Sequence, residues 1–178
     1  MKVNQLVFML LLLLSAPFFQ LPAQQVETDR KQVEEVKAKA EAGDADSEYR
    51  LGLFYYNGEG VAKDFSEAVK WYRKAAERNL ADAQDGLGFC YEHGQGVAKD
   101  EVEAVKWYRK AAAQNYARAQ SNLAYSYTNG HGVPKDEAEA VKWYRKAAEQ
   151  NLAVAQNNLA YSYANGQGVP KDEAEAVK

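Results

Sequence analysis

Apolar residues occur in two regimes along the chain. Leu6–Leu14 is an unbroken apolar run, whereas from Ala45 onward apolar positions recur at helical spacing between polar ones. Ser47, Leu51, Gly52 and Tyr55 mark one face of a first helix. Ala68, Val69, Tyr72, Ala75 and Ala76 mark one face of a second, with Trp71 filling the gap left by small neighbours. Asn57-Gly58 ends the first helix, because glycine takes the left-handed conformation without a Cβ penalty, and Gly60 lets the loop turn back. Asp64 and Glu67 form a capping-box-like pair that opens the second helix, which ends at Asn79.

This pattern repeats every 36 residues. Trp71, Trp107 and Trp143 keep the period, as do Leu51, Leu87, Leu123 and Leu159, and Tyr55, Tyr91, Tyr127 and Tyr163. The pairs Gly58/Gly60, Gly94/Gly96, Gly130/Gly132 and Gly166/Gly168 keep it too, each followed by a valine, and the caps recur as Asp100/Glu103, Asp136/Glu139 and Asp172/Glu175. Pro134 and Pro170 precede two of these caps and stiffen the loop. Asn115 and Asn151 repeat Asn79, and Gly43 stands one period before it. The expected architecture is all-α, built from antiparallel helix pairs in units 45–80, 81–116, 117–152 and a partial 153–178.

Two segments precede the units. Lys2, the Leu6–Leu14 run, Pro17, Pro22 and the small residue Ala23 have the layout of a secretory signal peptide over residues 1–23, with Pro17 and Pro22 expected to break any helix. The alternative is an uncleaved anchor, although nine apolar residues fall short of the roughly 20 that span a bilayer. Residues 24–44 are expected to form a capping helix over Glu27–Ala42, of the second-helix type but with Glu35 where Trp71 would stand.

Together, Leu51-Gly52, Tyr55, Gly58, Gly60-Val61, Asp64, Ala68, Trp71-Tyr72 and Ala75-Ala76 resemble the Sel1-like repeat (SLR), a relative of the tetratricopeptide repeat. The resemblance covers residues 45–178 and implies a right-handed α-solenoid with a protein-binding role. A plain tetratricopeptide array has units of about 34 residues and lacks the paired-glycine loop. Ala124 and Ala160 depart from the usual glycine, and with a single Cys the chain is a poor match to the cysteine-rich branch, for which disulfide-stapled units and enzyme-like activity are known.

Composition then narrows the chemistry. Net charge is −3, from 22 Lys+Arg against 25 Asp+Glu, and becomes −4 if Lys2 leaves with residues 1–23. That balance offers no positive excess to nucleic acid or anionic lipid. The clusters Lys70-Trp71-Tyr72-Arg73-Lys74 read as the solvent side of an amphipathic helix, and no nucleic-acid partner is expected. The Gly-x-Gly loops follow helices, not strands, and are connectors instead of phosphate cradles. His93 and His131 hold different repeat positions and fit no metal-ligand spacing. Cys90 shares a slot with Phe54, Ser126 and Ser162, which suggests a partly packed thiol with no base to activate it. No catalytic residue, metal or cofactor is expected.

The candidate function therefore lies in a surface. By resemblance to tetratricopeptide arrays, the first helices line a concave groove through positions off the Leu51/Gly52/Tyr55 stripe. These are Tyr49, Leu53, Tyr56 and Asn57, then Asp85, Phe89, Glu92 and His93. Unit 3 offers Ser121, Tyr125, Thr128 and Asn129, and unit 4 offers Asn157, Tyr161, Ala164 and Asn165. Most of these vary between units while packing positions hardly change. Leu53, Phe89, Tyr125 and Tyr161 form an apolar-to-aromatic ladder that either anchors a partner or packs within the superhelix.

The expected function is an exported adaptor or scaffold, periplasmic or secreted, that binds protein or peptide and has no membrane span once the signal is removed. The alternatives are a cell-envelope enzyme acting on β-lactam or cell-wall substrates, and an RNA-binding array. Because the sequence stops at Lys178, the counterpart of Lys142, the last helix is expected to be frayed or to belong to a longer product.

Overall fold

The computed structural model describes residues 21–177. Most of the signal segment therefore lies outside the described residues. Eight helices follow in order: α1 (Leu21–Glu41), α2 (Ala45–Asn57), α3 (Phe65–Glu77), α4 (Ala81–His93), α5 (Glu101–Ala113), α6 (Ala117–Asn129), α7 (Glu137–Glu149) and α8 (Ala153–Asn165), and a 3₁₀ turn at Glu175–Val177. No strand occurs among the described residues. Consecutive helices pack pairwise, α2 on α3, α4 on α5 and α6 on α7, and each pair stacks on the next to make an all-α solenoid.

Local chemistry sets each boundary. α2, α4, α6 and α8 end on Gly58, Gly94, Gly130 and Gly166, all left-handed, with the Gly58 amide donating to Phe54 O at 2.8 Å. α3, α5 and α7 run into Asn79, Asn115 and Asn151, which hold φ of 69°, 63° and 62°. The Asp64 carboxylate accepts from the Ser66 and Glu67 amides, and Asp100 and Asp136 accept from the Glu103 and Glu139 amides. Only this half of the capping box forms. The Asp64 amide donates to Tyr55 O at 2.8 Å, Glu67 and Glu103 pair with Lys70 and Lys106, and Glu139 accepts from Trp143 Nε1.

α1 already includes Pro22, contrary to the expected break. In the first turn of a helix, the missing proline N–H has no intrahelical acceptor to lose. Val33, Val36 and Ala40 of α1 are buried against Leu51, and Trp71 lies against the same cluster. The later tryptophans repeat the role. Trp107 joins a cluster of Ala68, Val69, Tyr72 and Ala76 from unit 1 with Leu87 and Cys90 from unit 2, so it ties consecutive pairs together. The Lys74, Lys110 and Lys146 ammonium groups cover the rings of Trp71, Trp107 and Trp143 at 3.7, 3.8 and 4.2 Å.

Two side-chain ladders bind unit to unit. Arg73, Arg109 and Arg145 each reach the tyrosine hydroxyl of the next unit, on Tyr91, Tyr127 and Tyr163, at 2.8–2.9 Å. These arginines of the basic clusters are thus engaged within the solenoid. In the second ladder, the amide of Gln114 donates to Gln84 and to Asn79, and that of Gln150 to Gln120 and to Asn115. Unit 1 replaces this amide set with an ion pair: Arg78 grips buried Glu48 at 3.1–3.2 Å, and Gly43 stands where Asn79 would be. A Cβ on Gly43 would lie 2.9 Å from an Arg78 nitrogen. Glycine there makes room for the guanidinium, besides accepting its φ of 89°.

Candidate binding face

The structure sorts the expected face residues into three groups. Asp85 and Ser121 are buried, at 1% and 5% exposure, and offer no surface of their own. Tyr49, Leu53, Tyr56, Phe89, Glu92 and Thr128 are half-buried. Tyr49 lies 5.5 Å from the Tyr72 ring, Leu53 packs on the first core cluster, and Tyr56 packs on Phe65 and donates to Gln95 Oε1 at 2.7 Å. Glu92 accepts from the Tyr108 hydroxyl at 2.7 Å, and Thr128 Oγ1 donates to Ala124 O at 3.0 Å. Asn57, His93, Tyr125, Asn129, Asn157, Tyr161 and Asn165 are exposed, while Ala164 is half-buried.

The aromatic ladder divides accordingly. Leu53 packs inward and Phe89 stacks on His93 at 4.0 Å, but Tyr125 and Tyr161 expose 47% and 58% of their area. His131 meets Tyr125 edge-on at 5.7 Å, so both histidines pack against aromatic rungs. Asn129 and Asn165 each donate to the carbonyl four residues back, of Tyr125 and Tyr161, at 2.9 Å. That bond fixes the carboxamide and leaves its oxygen and second N–H for another partner. α8 carries no charged residue and α6 carries Arg118 alone, so the exposed tyrosines sit in a neutral amide and phenol surface.

A cluster around the expected residue Asp85, with partners absent from the expected set, joins units 2 and 3. Asn122 Nδ2 donates to Asp85 Oδ1 at 2.8 Å, Arg118 lies 3.3 Å from Asp85 Oδ2, and the Tyr116 hydroxyl donates to Asp82 Oδ1 at 2.7 Å. Burial pushes the Asp85 carboxyl up to about 6, opposed by Arg118 and the Asn122 bond. A signal for it existed in the sequence, since Arg118 stands where the other units carry Asp46, Asp82 and Val154.

Cys90 is fully buried, not partly packed, and burial lifts its thiol to about 12, which leaves it protonated at neutral pH. Ser126 and Ser162, in the same slot, are buried too and donate to carbonyls one turn back. Among the described residues no group of three His, Cys, Asp or Glu side chains could hold a metal ion, and no helix is long and apolar enough to cross a membrane. A cavity of about 720 Å³ lies off the candidate face, between α1 and the first glycine loop, lined by Asp29, Gln32, Phe54 and Gly58–Ala62.

Thirteen-residue helices in antiparallel pairs, left-handed caps at every turn and repeated inter-unit ladders define a helical-repeat interaction module. The Sel1 repeat family model matches residues 45–80, 81–116, 117–152 and 153–178, and the chain belongs to that family. Among solved structures, a Sel1 repeat protein from Oxalobacter formigenes is 40% identical with a TM-score of 0.80, over 83% of this chain and 59% of that one. The protein c5321, a protective antigen of uropathogenic Escherichia coli with an SLR fold, is 36% identical with a TM-score of 0.69, over 81% of this chain and 38% of that one. Cysteine-rich protein B of Helicobacter pylori is 27% identical with a TM-score of 0.59, over 71% and 93%. A curated relative, the secretory immunoglobulin A-binding protein EsiB of Escherichia coli O6:H1, is 40% identical over 43 residues, 24% of this chain and 9% of its own length. The chain thus spans a small part of that relative and under two thirds of the first two structures.

Proposed function

We propose that this Sel1 repeat protein is an exported adaptor or scaffold that binds a protein or peptide on the inner face of its first helices, without covalent chemistry. One observation carries the reading. Packing positions barely change between units, while positions 53, 89, 125 and 161 run from half-buried Leu to solvent-exposed Tyr. Tyrosine supplies a large, rigid contact area at low entropic cost, and neighbouring Asn and Ser supply adaptable hydrogen bonds. The neutral surface around Tyr125 and Tyr161 suits a partner segment of low charge. Residues 1–23 serve as the export signal and are removed, and the part of α1 from residue 24 onward caps the array. The name of EsiB, an antibody-binding protein, is compatible with protein partners for this repeat type.

The test is recovery of crosslinked partners from the cell-envelope fraction by the wild-type chain against the double variant Tyr125→Ala/Tyr161→Ala. Partners retained by wild type and lost by the double variant, at unchanged helicity, support the reading. Equal recovery of every partner by both forms sinks it.

A further inference from the structure

The three junctions between units share the same backbone, yet only one can be bridged by charge on the first-helix face. Asp85 occupies a position held by Tyr49, Ser121 and Asn157 in the other units, and Asn122 one held by Arg50, Gly86 and Asn158. At the first junction Tyr49 therefore faces Asp82 and Gly86, and at the third Ser121 faces Val154 and Asn158. Neither can assemble a carboxylate, a guanidinium and a carboxamide. Between units 2 and 3 all three meet, with one Asp85 oxygen on Asn122 and the other on Arg118.

We propose that this contact is a pH-responsive interlock: protonation of Asp85 frees Arg118 from α4 and changes the angle between the first and second halves of the array.

The surroundings favour such a switch. Asp82 and Glu92 on α4 itself are carboxylates that oppose ionisation of Asp85. Arg118 on α6 favours it. Tyr116 holds Asp82 at the start of α6, and Tyr108 of α5 holds Glu92. Two further titratable side chains stand on this side, Tyr49 of α2 and Tyr72 of α3, whose rings pack 5.5 Å apart beside Gly86. Asp85 is thus nearly dry, with Arg118 as the cation facing it, and its carboxyl is already raised to about 6. Once protonated, Asp85 keeps an acceptor for Asn122 but no longer attracts the guanidinium. The Arg118 side chain, 62% exposed, is free to leave for solvent, and the α4–α6 spacing loses its electrostatic tie. With that tie gone, the Arg109–Tyr127 and Gln150–Asn115 bonds still join units 2 and 3, and units 1 and 2 tilt about them against units 3 and 4.

The experiment follows the whole chain from pH 8 to pH 4.5 by NMR, reading the Asp85 carboxyl carbon and the Arg118 Nε–H. Spin-label distances are measured in parallel between exposed positions 113 and 149, which span this junction, and 77 and 113, which span the preceding one. Labelling uses a Cys90→Ser background, since serine fills that slot in units 3 and 4. The Arg118 resonance and the 113–149 distance should change together with an Asp85 midpoint near 6, while the 77–113 distance stays fixed. Asp85→Asn should show the acidic-state distance at every pH. Arg118→Gln, altered at an exposed side chain, should fold normally and raise the Asp85 midpoint. The proposal is overturned if Asp85 titrates near 4, if it titrates without moving Arg118 and the 113–149 distance, or if Asp85→Asn retains the transition.

Discussion

Gly132 holds a φ of 68°, and a Cβ there would run into the Glu101 backbone carbonyl at the start of α5. The constraint is a close approach of one unit's loop to the preceding unit, and it recurs at Gly96 and Gly168. Gly88 is different: its Cβ would meet ring atoms of Tyr108 at 2.7–2.8 Å, and units 3 and 4 carry Ala124 and Ala160 in the same slot. Gly132→Ala should therefore cost about 2–3 kcal/mol and Gly88→Ala about 1 kcal/mol or less, read as shifts in chemical unfolding. Equal costs would contradict the distinction. Asp85 gives the pH dependence. Its carboxyl rises from 3.8 to about 6 on folding, so the folded chain binds the proton more tightly than the unfolded one. The stability it contributes is full below about pH 4 and lost as pH rises through about 6. Asp85→Asn should accordingly be more stable than wild type at pH 7.5, by about 1–3 kcal/mol, with the difference vanishing near pH 4. Thermal melts across that range check it, and a variant less stable than wild type at pH 7.5 contradicts the assignment.

At the scale of the helix and its unit, most of the structure was legible because it repeats. A left-handed cap at Asn79 or Gly58 needs only its own residue type, and an Asp N-cap needs only the next turn. Asp136→Ala should destabilise the array by about 1 kcal/mol, measured by denaturant unfolding, because the Glu139 amide loses its acceptor. What escaped the sequence depended on a neighbouring unit. Cys90 and Asp85 are covered by side chains some 20 to 40 positions away, and nothing in the chain around them announces it. The exchange of Gly43/Glu48/Arg78 for Asn79/Gln84/Gln114 lies between these cases, visible as paired change once the contact is known. Arg78→Ala should cost about 1–3 kcal/mol because it strands buried Glu48. Glu48→Gln/Arg78→Gln should restore stability to within about 1 kcal/mol of wild type, since units 2 and 3 hold two glutamines in that arrangement. A double variant no better than Arg78→Ala would show that the slots are not interchangeable.

For the whole molecule, stacking converts a 36-residue unit into a long face whose backbone is constant and whose side chains differ. Half of the expected face residues turned out to support neighbours. Leu53, Asp85 and Ser121 pack or lock, and the expected positions left exposed are Asn57, His93, Tyr125, Asn129, Asn157, Tyr161 and Asn165. Exposure of a ladder rung depends on what stands beside it, so the sequence alone could not tell packed rungs from free ones. The most direct test places a photo-crosslinking side chain at Tyr161 and, separately, at exposed Val102 on α5, in cells making the full chain. Adducts with a discrete partner from position 161 and none from position 102 are the result expected. The same adducts from both positions, or adducts from position 102 alone, would place the interaction elsewhere and contradict binding on the first-helix face.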